Sequence, residues 1–559
     1  MSNKEIVRAL RLITNLMELH DENPFKIKSY SFAQQAIERC PAQLSQMSLE
    51  NLYSIKGIGR SIGDVVWDLL TINASSVLDN LLNKTPEGIV QLLMIKGLGP
   101  KKIKSLWQDL GIESVGELLY ACNENRLIEL KGFGEKTQNN IKQSIEYVMA
   151  NAGKFKYATL EAEAQTLLQQ ISQYAGIEQV QLTGAMRRRL EVVENIAFVV
   201  CCPSMEVLLQ MANKWEWQGI SVHDNELHGY TPLGAPVVLY CCSPDGLAAQ
   251  LFRTTATTKH LEQFLALGSI PEQATDEAAI YATAQLPYIL PEWREGRQEI
   301  RLAQQNQLPT NCIRTDQLRG IIHAHTTYSD GQNTLLDMAQ ACIAAGYEYL
   351  GVSDHSKSAF YAGGLYEEKI AQQQREIDRL NEKLAPFKIY KGIESDILSD
   401  GSLDYASDVL ASFDFIIASV HSNLKMTEEK AMSRLLKAIE NPYTTILGHP
   451  TGRLLLSRAG YPIDHRKIID ACADNKVVIE LNASPYRLDI DWRWIDYCME
   501  RGVPIAINPD AHSITGIEDV RFGVYVAHKA MLPTQMTFNA WSCSEIETWL
   551  AEKKQFLVV

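Results

Sequence analysis

Six of the twelve histidines in this 559-residue chain share one setting: each stands at or just past the end of a short apolar run. The runs are IIHAH with His323 and His325, YLGVSDH with His355, FIIASVH with His421, TTILGH with His449 and PIAINPDAH with His512. Three carboxylates join them: Asp330 in TTYSDG, Glu394 in IYKGIESD, and Asp510 two residues before His512. Imidazoles and carboxylates gathered at strand ends are the donor set of a multinuclear metal site. Alternate side chains of a strand share a face, so H-A-H turns both rings to one side. The mixed nitrogen and oxygen set suits Mn2+, Zn2+ or Fe2+ better than Mg2+ alone. One such histidine alone would read as a hydrogen-bonded core residue; nine donors at successive strand ends do not. His20, His223, His228, His260, His465 and His528 fit no such pattern and read as ordinary.

The elements that must position these donors are legible from residue 320 onward. Strand-like runs lie near 320–323, 347–353, 388–394, 413–420, 444–448, 477–482 and 503–508. Helical segments at 334–345, 365–384, 428–440 and 463–475 separate many of them. That alternation predicts parallel β/α units. Seven strands suggest a barrel, whose active-site residues sit at the C-terminal strand ends, where the candidate ligands fall.

These residues also carry a resemblance. H-A-H-T-x-x-S-D-G, S-D-H-S, G-I-E, V-H-S, G-H-P and D-A-H, in that order, resemble the PHP (polymerase and histidinol phosphatase) domain over 320 to about 525. The resemblance implies a distorted (β/α)7 barrel holding up to three ions of manganese, zinc or iron. Its ligands would be His323, His325, Asp330, His355, Glu394, His421, His449, Asp510 and His512, with Glu394 bridging two ions. Such a cluster hydrolyses phosphoesters without a protein nucleophile. Glu394 and Asp510 are the catalytic carboxylates of this reading, and Arg453 and Lys357 are candidates to neutralise substrate phosphate.

The first 150 residues read as helix with one pattern in triplicate: LYSIKGIGRSIGDVV (52–66), LLMIKGLGPKKIKSL (92–106) and LIELKGFGEKTQNNI (127–141). Paired glycines permit a tight turn against a partner, and the helix that follows presents free amides to a phosphate. The pattern resembles the helix-hairpin-helix motif, which holds DNA backbone without reading sequence. Candidate contacts are Lys56, Gly57, Gly59 and Arg60; Lys96, Gly97, Gly99, Lys101 and Lys102; and Lys131, Gly132 and Gly134. A net charge of −14 warns against a generic nucleic-acid coat but leaves room for a local basic surface. Eleven cysteines without a C-x-x-C argue for reduced thiols and a cytoplasmic protein. No apolar run approaches the roughly 20 residues that span a bilayer, and the N-terminus has no signal-peptide core.

The first 300 residues resemble a bacterial family X DNA polymerase: NPFKIKSYSFAQQAIE (23–38), TGAMRRRLEVVENIAFVV (183–200) and LPYILPEWREGRQEI (286–300). In that family three aspartates on two strands hold the ions for nucleotidyl transfer. Here the corresponding positions are Asn195, Ala197 and Val238, and the nucleotide-binding turn reads Thr254, Thr255, Ala256. The expected architecture is a helical lyase-like region (1–75) and a fingers-like region (76–152), then a palm and thumb (153–305). A linker (306–319) leads to the phosphoesterase barrel (320–559). The expected activity is a 3′–5′ exonuclease of DNA repair acting on gapped or 3′-ended DNA as a monomer, with polymerase activity absent. The alternatives are a histidinol-phosphate-type phosphatase, a residual gap-filling polymerase, and a DNA-binding scaffold without activity.

Overall fold

A computed structural model describes residues 1–40, 42–95, 97–123, 126–128, 130 and 132–555. Two expected DNA contacts, Lys96 and Lys131, lie outside these residues. The chain divides into two compact units, Met1–Ala152 and Gly153–Val559.

The first unit is helical throughout its described residues. Its opening helix, Asn3–Leu19, starts on a capping box between Ser2 and Glu5. The helix buries Ile6, Leu10, Ile13 and Met17, spaced to form one apolar stripe. The three hairpins repeat one backbone geometry. Gly57, Gly97 and Gly132 have φ of 105°, 95° and 92°, a region that side-chain-bearing residues rarely enter. Gly59, Gly99 and Gly134 then begin the helices Arg60–Ile72, Pro100–Leu110 and Glu135–Asn151, with no side-chain cap. A Cβ added at these three would meet no atom within 4 Å, so the helix-start amides stand open.

After the helix Tyr157–Ser172, the second unit builds a five-stranded sheet. Its strands are β1 (Gln179–Thr183), β2 (Ile196–Cys201), β3 (Gln218–His223), β4 (Glu226–Tyr230) and β5 (Pro236–Cys242), in the order β1-β2-β5-β4-β3. Only β2 and β5 run parallel. Then come the seven barrel strands: β6 (Gly320–Ile321), β7 (Tyr349–Val352), β8 (Lys388–Asp396), β9 (Phe415–Ser419), β10 (Ile446–Leu447), β11 (Val478–Asn482) and β12 (Ile505–Asn508). They follow one another in sequence order, each parallel to the next. Helices Leu335–Ala344, Glu367–Leu384, Glu428–Ile439 and His465–Asp474 fall on the four expected segments. The first and last strands meet through one bridge, Ala324 with Ala511, so the barrel nearly closes.

Below the strand ends the barrel is plugged. Tyr349, Tyr390 and Phe415 pack with Phe538, Ile546 and Leu550. Gly392 makes room for that plug: a Cβ there would stand 2.1 Å from the Phe415 ring. The opposite, C-terminal strand ends are left for chemistry. The expected linker is packed down, with Ile313 buried and its amide donating to Leu532 O at 2.8 Å. The eleven cysteines are free thiols, and no helix of the described residues is long and apolar enough to cross a membrane.

Candidate metal centre

All nine expected donors converge at the C-terminal rim of the barrel. Ligand atoms of His325, Asp330, His355 and His512 lie within 4.8 Å of one another. So do those of His323, His325 and Asp510, and those of His355, Glu394 and His421. His325 and His355 each belong to two groups. Glu394 joins the sets with its two oxygens: Oε1 stands 3.0 Å from both His421 Nε2 and His449 Nε2, and Oε2 stands 2.9 Å from His355 Nδ1. Two donors sit on unusual backbone, Asp510 at φ 55° and His449 at φ 23°. Such strain persists where surrounding structure enforces it and clusters at functional sites.

Around the donors lies a layer that residue spacing did not pick out. Glu480, buried in β11, accepts from His323 Nδ1 at 2.6 Å and from the His449 amide at 2.8 Å. Asp396 accepts from His421 Nδ1 at 2.9 Å. Asp354 is bonded by Thr326, Ser329 and Gln373, tying the loop that carries Asp330 to the strand end that carries His355. Carboxylates behind imidazoles fix ring orientation and the free nitrogen. The one available signal was a charged residue inside an otherwise apolar strand, VVIELN.

The electrostatics are those of a site built around cations. Burial opposes charge on Glu394, yet His421, His323 and His355 hold its carboxyl well below the usual range. Burial, with the like charges of His355 and His512, pushes His325 down to about 3. Burial also opposes charge on His421, but Glu394 and Asp396 lift it to about 10. No hydrogen bond satisfies His323 Nε2, His325 Nδ1, His355 Nδ1, His449 Nδ1 or Glu394 Oε2, all buried. Buried polar atoms are normally satisfied. Five orphans in one cluster of nitrogen and oxygen donors fit metal ions.

Arg453 corrects an expectation. Its Nε donates to Arg487 O at 3.0 Å, one terminal nitrogen to Asp491 at 2.6 Å, and the other to Leu488 O. All three nitrogens are engaged in holding the 487–491 loop, so Arg453 positions that loop instead of meeting a phosphate. Lys357 is likewise engaged, 2.9 Å from Glu367. The arginine at the cluster is Arg487, whose Nε lies 3.8 Å from Asp510 Oδ2.

Residues 1–74 match the helix-hairpin-helix domain family, 89–146 the SAM-like helix-hairpin-helix tandem, and 322–484 the PHP domain. Along 573 residues the chain is 33% identical to the DNA polymerase/3′–5′ exonuclease PolX of Bacillus subtilis (strain 168), covering 98% of this chain and 99% of that protein. The chain belongs to the bacterial PolX family. Shorter likenesses reach probable phosphatases: 25% over 257 residues in Caldanaerobacter subterraneus subsp. tengcongensis and 26% over 244 in Thermoanaerobacter sp. (strain X514). These cover 43% and 42% of this chain, and 94% of each of those proteins. As a PolX with a PHP domain, this is a DNA-binding, metal-dependent enzyme.

The PolX palm tells a different story from the barrel. Ala197 on β2 and Val238 on β5 are register partners, 4% and 6% exposed, and Asn195 directly precedes β2. Carboxylates are thus missing from adjoining points of one sheet. Glu191 is no substitute, since it accepts from Trp492 Nε1 at 3.1 Å and Arg493 at 2.7 Å. Glu194 is exposed. The remaining arginines are neutralised internally. Arg187 forms a two-pronged pair with Glu277 at 3.0 and 2.6 Å and also donates to Thr255 Oγ1 at 2.7 Å. Arg188 pairs with Glu295 at 3.0 Å and donates to Thr255 O at 2.6 Å.

Lys529, from the helix Val520–Lys529 beyond the barrel strands, completes that knot. It donates to Glu295 and to the carbonyls of Arg188 and Glu292. Breaking a buried ion pair costs several kcal/mol because a charge is left unpaired. Arg188 would still face Glu295, so Lys529→Met should cost about 3 kcal/mol, the low end of that range. The measurement is the urea midpoint of the full chain; an unchanged midpoint would show that the knot contributes nothing.

Proposed function

We propose that this PolX is a 3′–5′ exodeoxyribonuclease of DNA repair whose polymerase site is inactive. The observation that carries it is the convergence of nine donors around buried, unsatisfied atoms, on a chain with three open hairpins. The ligands would be His323, His325, Asp330, His355, Glu394, His421, His449, Asp510 and His512, holding up to three Mn2+, Zn2+ or Fe2+ ions. Bound ions supply an acidified water and charge stabilisation at the phosphoryl oxygens. The chain's own residues do the rest. Arg487 neutralises the phosphate beside Asp510, while Arg453, Asp396 and Glu480 keep loop and rings in place.

In this reading the helical regions 1–75 and 76–152 hold gapped or 3′-ended DNA without reading sequence. The described contacts are Lys56, Gly57, Gly59 and Arg60, Gly97, Gly99, Lys101 and Lys102, and Gly132 and Gly134. The palm and thumb (153–305) serve as scaffold, 306–319 joins them to the barrel (320–559), and the protein works as a cytoplasmic monomer.

The second reading is a small-molecule phosphatase, favoured by the likeness to probable phosphatases. Three hairpins weigh against it, having no use in a metabolite enzyme. Turnover on a 3′-recessed duplex and on histidinol phosphate, with Mn2+, separates the two. We expect the duplex to be degraded and the metabolite ignored. Arg487→Ala should lower kcat/KM on DNA by roughly 10- to 100-fold, as for loss of a charge-assisted phosphate contact. Preference for the metabolite would sink the nuclease reading, and full activity in the variant would sink the role of Arg487.

A further inference from the structure

The loop after His355 ends in two exposed aromatic rings. It leaves the barrel rim at His355 and returns at Leu365, whose amide donates to His355 O at 2.8 Å. Ser356 and Leu365 form a bridge at its base. Gly363 lies against Ser329, the neighbour of Asp330: a Cβ there would stand 3.4 Å from Ser329 O. The tip, Phe360–Ala362, is therefore clasped between two candidate ligands, His355 and Asp330. On it Phe360 is 83% exposed and Tyr361 64%. The rings stand 6.0 Å apart at 78°. Partial burial, and behind it the charges of Asp396, Glu394 and Asp330, push the Tyr361 phenol up to about 12.

A single exposed aromatic needs no explanation. An adjacent pair on the rim of a phosphate-directed cluster does. Among its neighbours in the loop, Lys357 is paired with Glu367 at 2.9 Å and sits over Tyr405, and the next exposed ring, Tyr366, lies just past the loop's return at Leu365. The adjacent pair presents faces on which one planar ring system can stack. Every nucleobase has a π-face, and stacking on aromatic side chains tolerates any sequence. We infer that Phe360 and Tyr361 form the stacking platform for the terminal nucleobase of a 3′ end whose phosphodiester lies at the histidine and carboxylate cluster. The inference rests on the nuclease reading and adds the part of the substrate that reading leaves without a binding group.

Two single-stranded oligonucleotides test it with the full chain and Mn2+. One carries a normal 3′-terminal nucleotide; the other lacks only the terminal base. Wild type should favour the base-bearing end by roughly 10-fold in kcat/KM, the worth of one stacked base. Phe360→Ala with Tyr361→Ala should bring the ratio to about one, and both positions are exposed enough to spare folding. A second readout needs no hydrolysis: with metal chelated, 2-aminopurine at the 3′ terminus should be quenched by wild type and not by the double variant. Equal hydrolysis of both ends by wild type, or quenching that survives in the variant, overturns the platform while leaving the nuclease reading intact. Quenching by a wild type that hydrolyses neither end overturns the nuclease reading and retains the platform.

Discussion

Asp510→Ala should cut hydrolysis of 3′ ends by roughly 10³-fold or more while DNA binding persists. Losing one preorganised electrostatic group costs about 10²–10³ in rate, and here metal affinity falls as well. Asp510 is mostly enclosed by five partners: His325 at 3.1 Å, His323 at 3.4 Å, Asn482 at 3.1 Å, and Arg487 and His512 each at 3.8 Å. Its removal would leave His323 and His325 facing each other with less negative charge between them. Metal analysis of the purified variant should find fewer ions per chain than wild type. His421→Ala should act alike, since it removes a partner of Glu394 Oε1. Binding to a 3′-recessed duplex, read by anisotropy, should stay within about twofold, because the hairpins belong to the separate Met1–Ala152 unit. A chelator should reproduce the loss in wild type, and added Mn2+ should reverse it. Full cleavage by both variants would mean that the rim cluster is not the active site.

Much of that centre could be read from residue order because two constraints coincide. Strands end in turns, and the ligands occupy those ends, so residue type and position reinforce each other. The seven strands fall on the seven expected runs for the same reason. What stayed hidden depends on partners distant in sequence. Glu480 looks like a stray polar residue in a strand until His323, 157 positions away, is brought to 2.6 Å. Arg453 follows the G-H-P ligand motif, whereas Arg487 neighbours none of the ligand motifs. Only Asp491, 38 positions from Arg453, reveals which guanidinium is engaged elsewhere. The closure of the barrel rests on the Ala324–Ala511 bridge, too short to leave a periodic trace. The packing of 306–319 was hidden as well, since its polar text conceals three buried anchors, Cys312, Ile313 and Leu318.

The palm yields the second large effect. Wild type should incorporate no nucleotide into gapped DNA with Mg2+ or Mn2+, and template-directed extension would overturn the claim of an inactive polymerase. Putting carboxylates back should reveal why. Ala197 and Val238 face each other on parallel β2 and β5, both nearly fully buried. Aspartates at both points would place two like charges side by side in apolar surroundings, each disfavouring ionisation of the other. Ala197→Asp with Val238→Asp should therefore destabilise the chain by on the order of 3 kcal/mol in chelator, read as a lower urea midpoint. A divalent cation bridging the pair would offset that cost, so added Mn2+ should recover part of the midpoint. Extension should still not return, because Arg187 remains clasped by Glu277 and Arg188 by Glu295. A double variant as stable as wild type without metal would show that these positions are less enclosed than the sheet register implies. If it also extended primers, the loss of chemistry would lie in the carboxylates alone, and the internal pairing of the arginines would be no barrier to nucleotide binding.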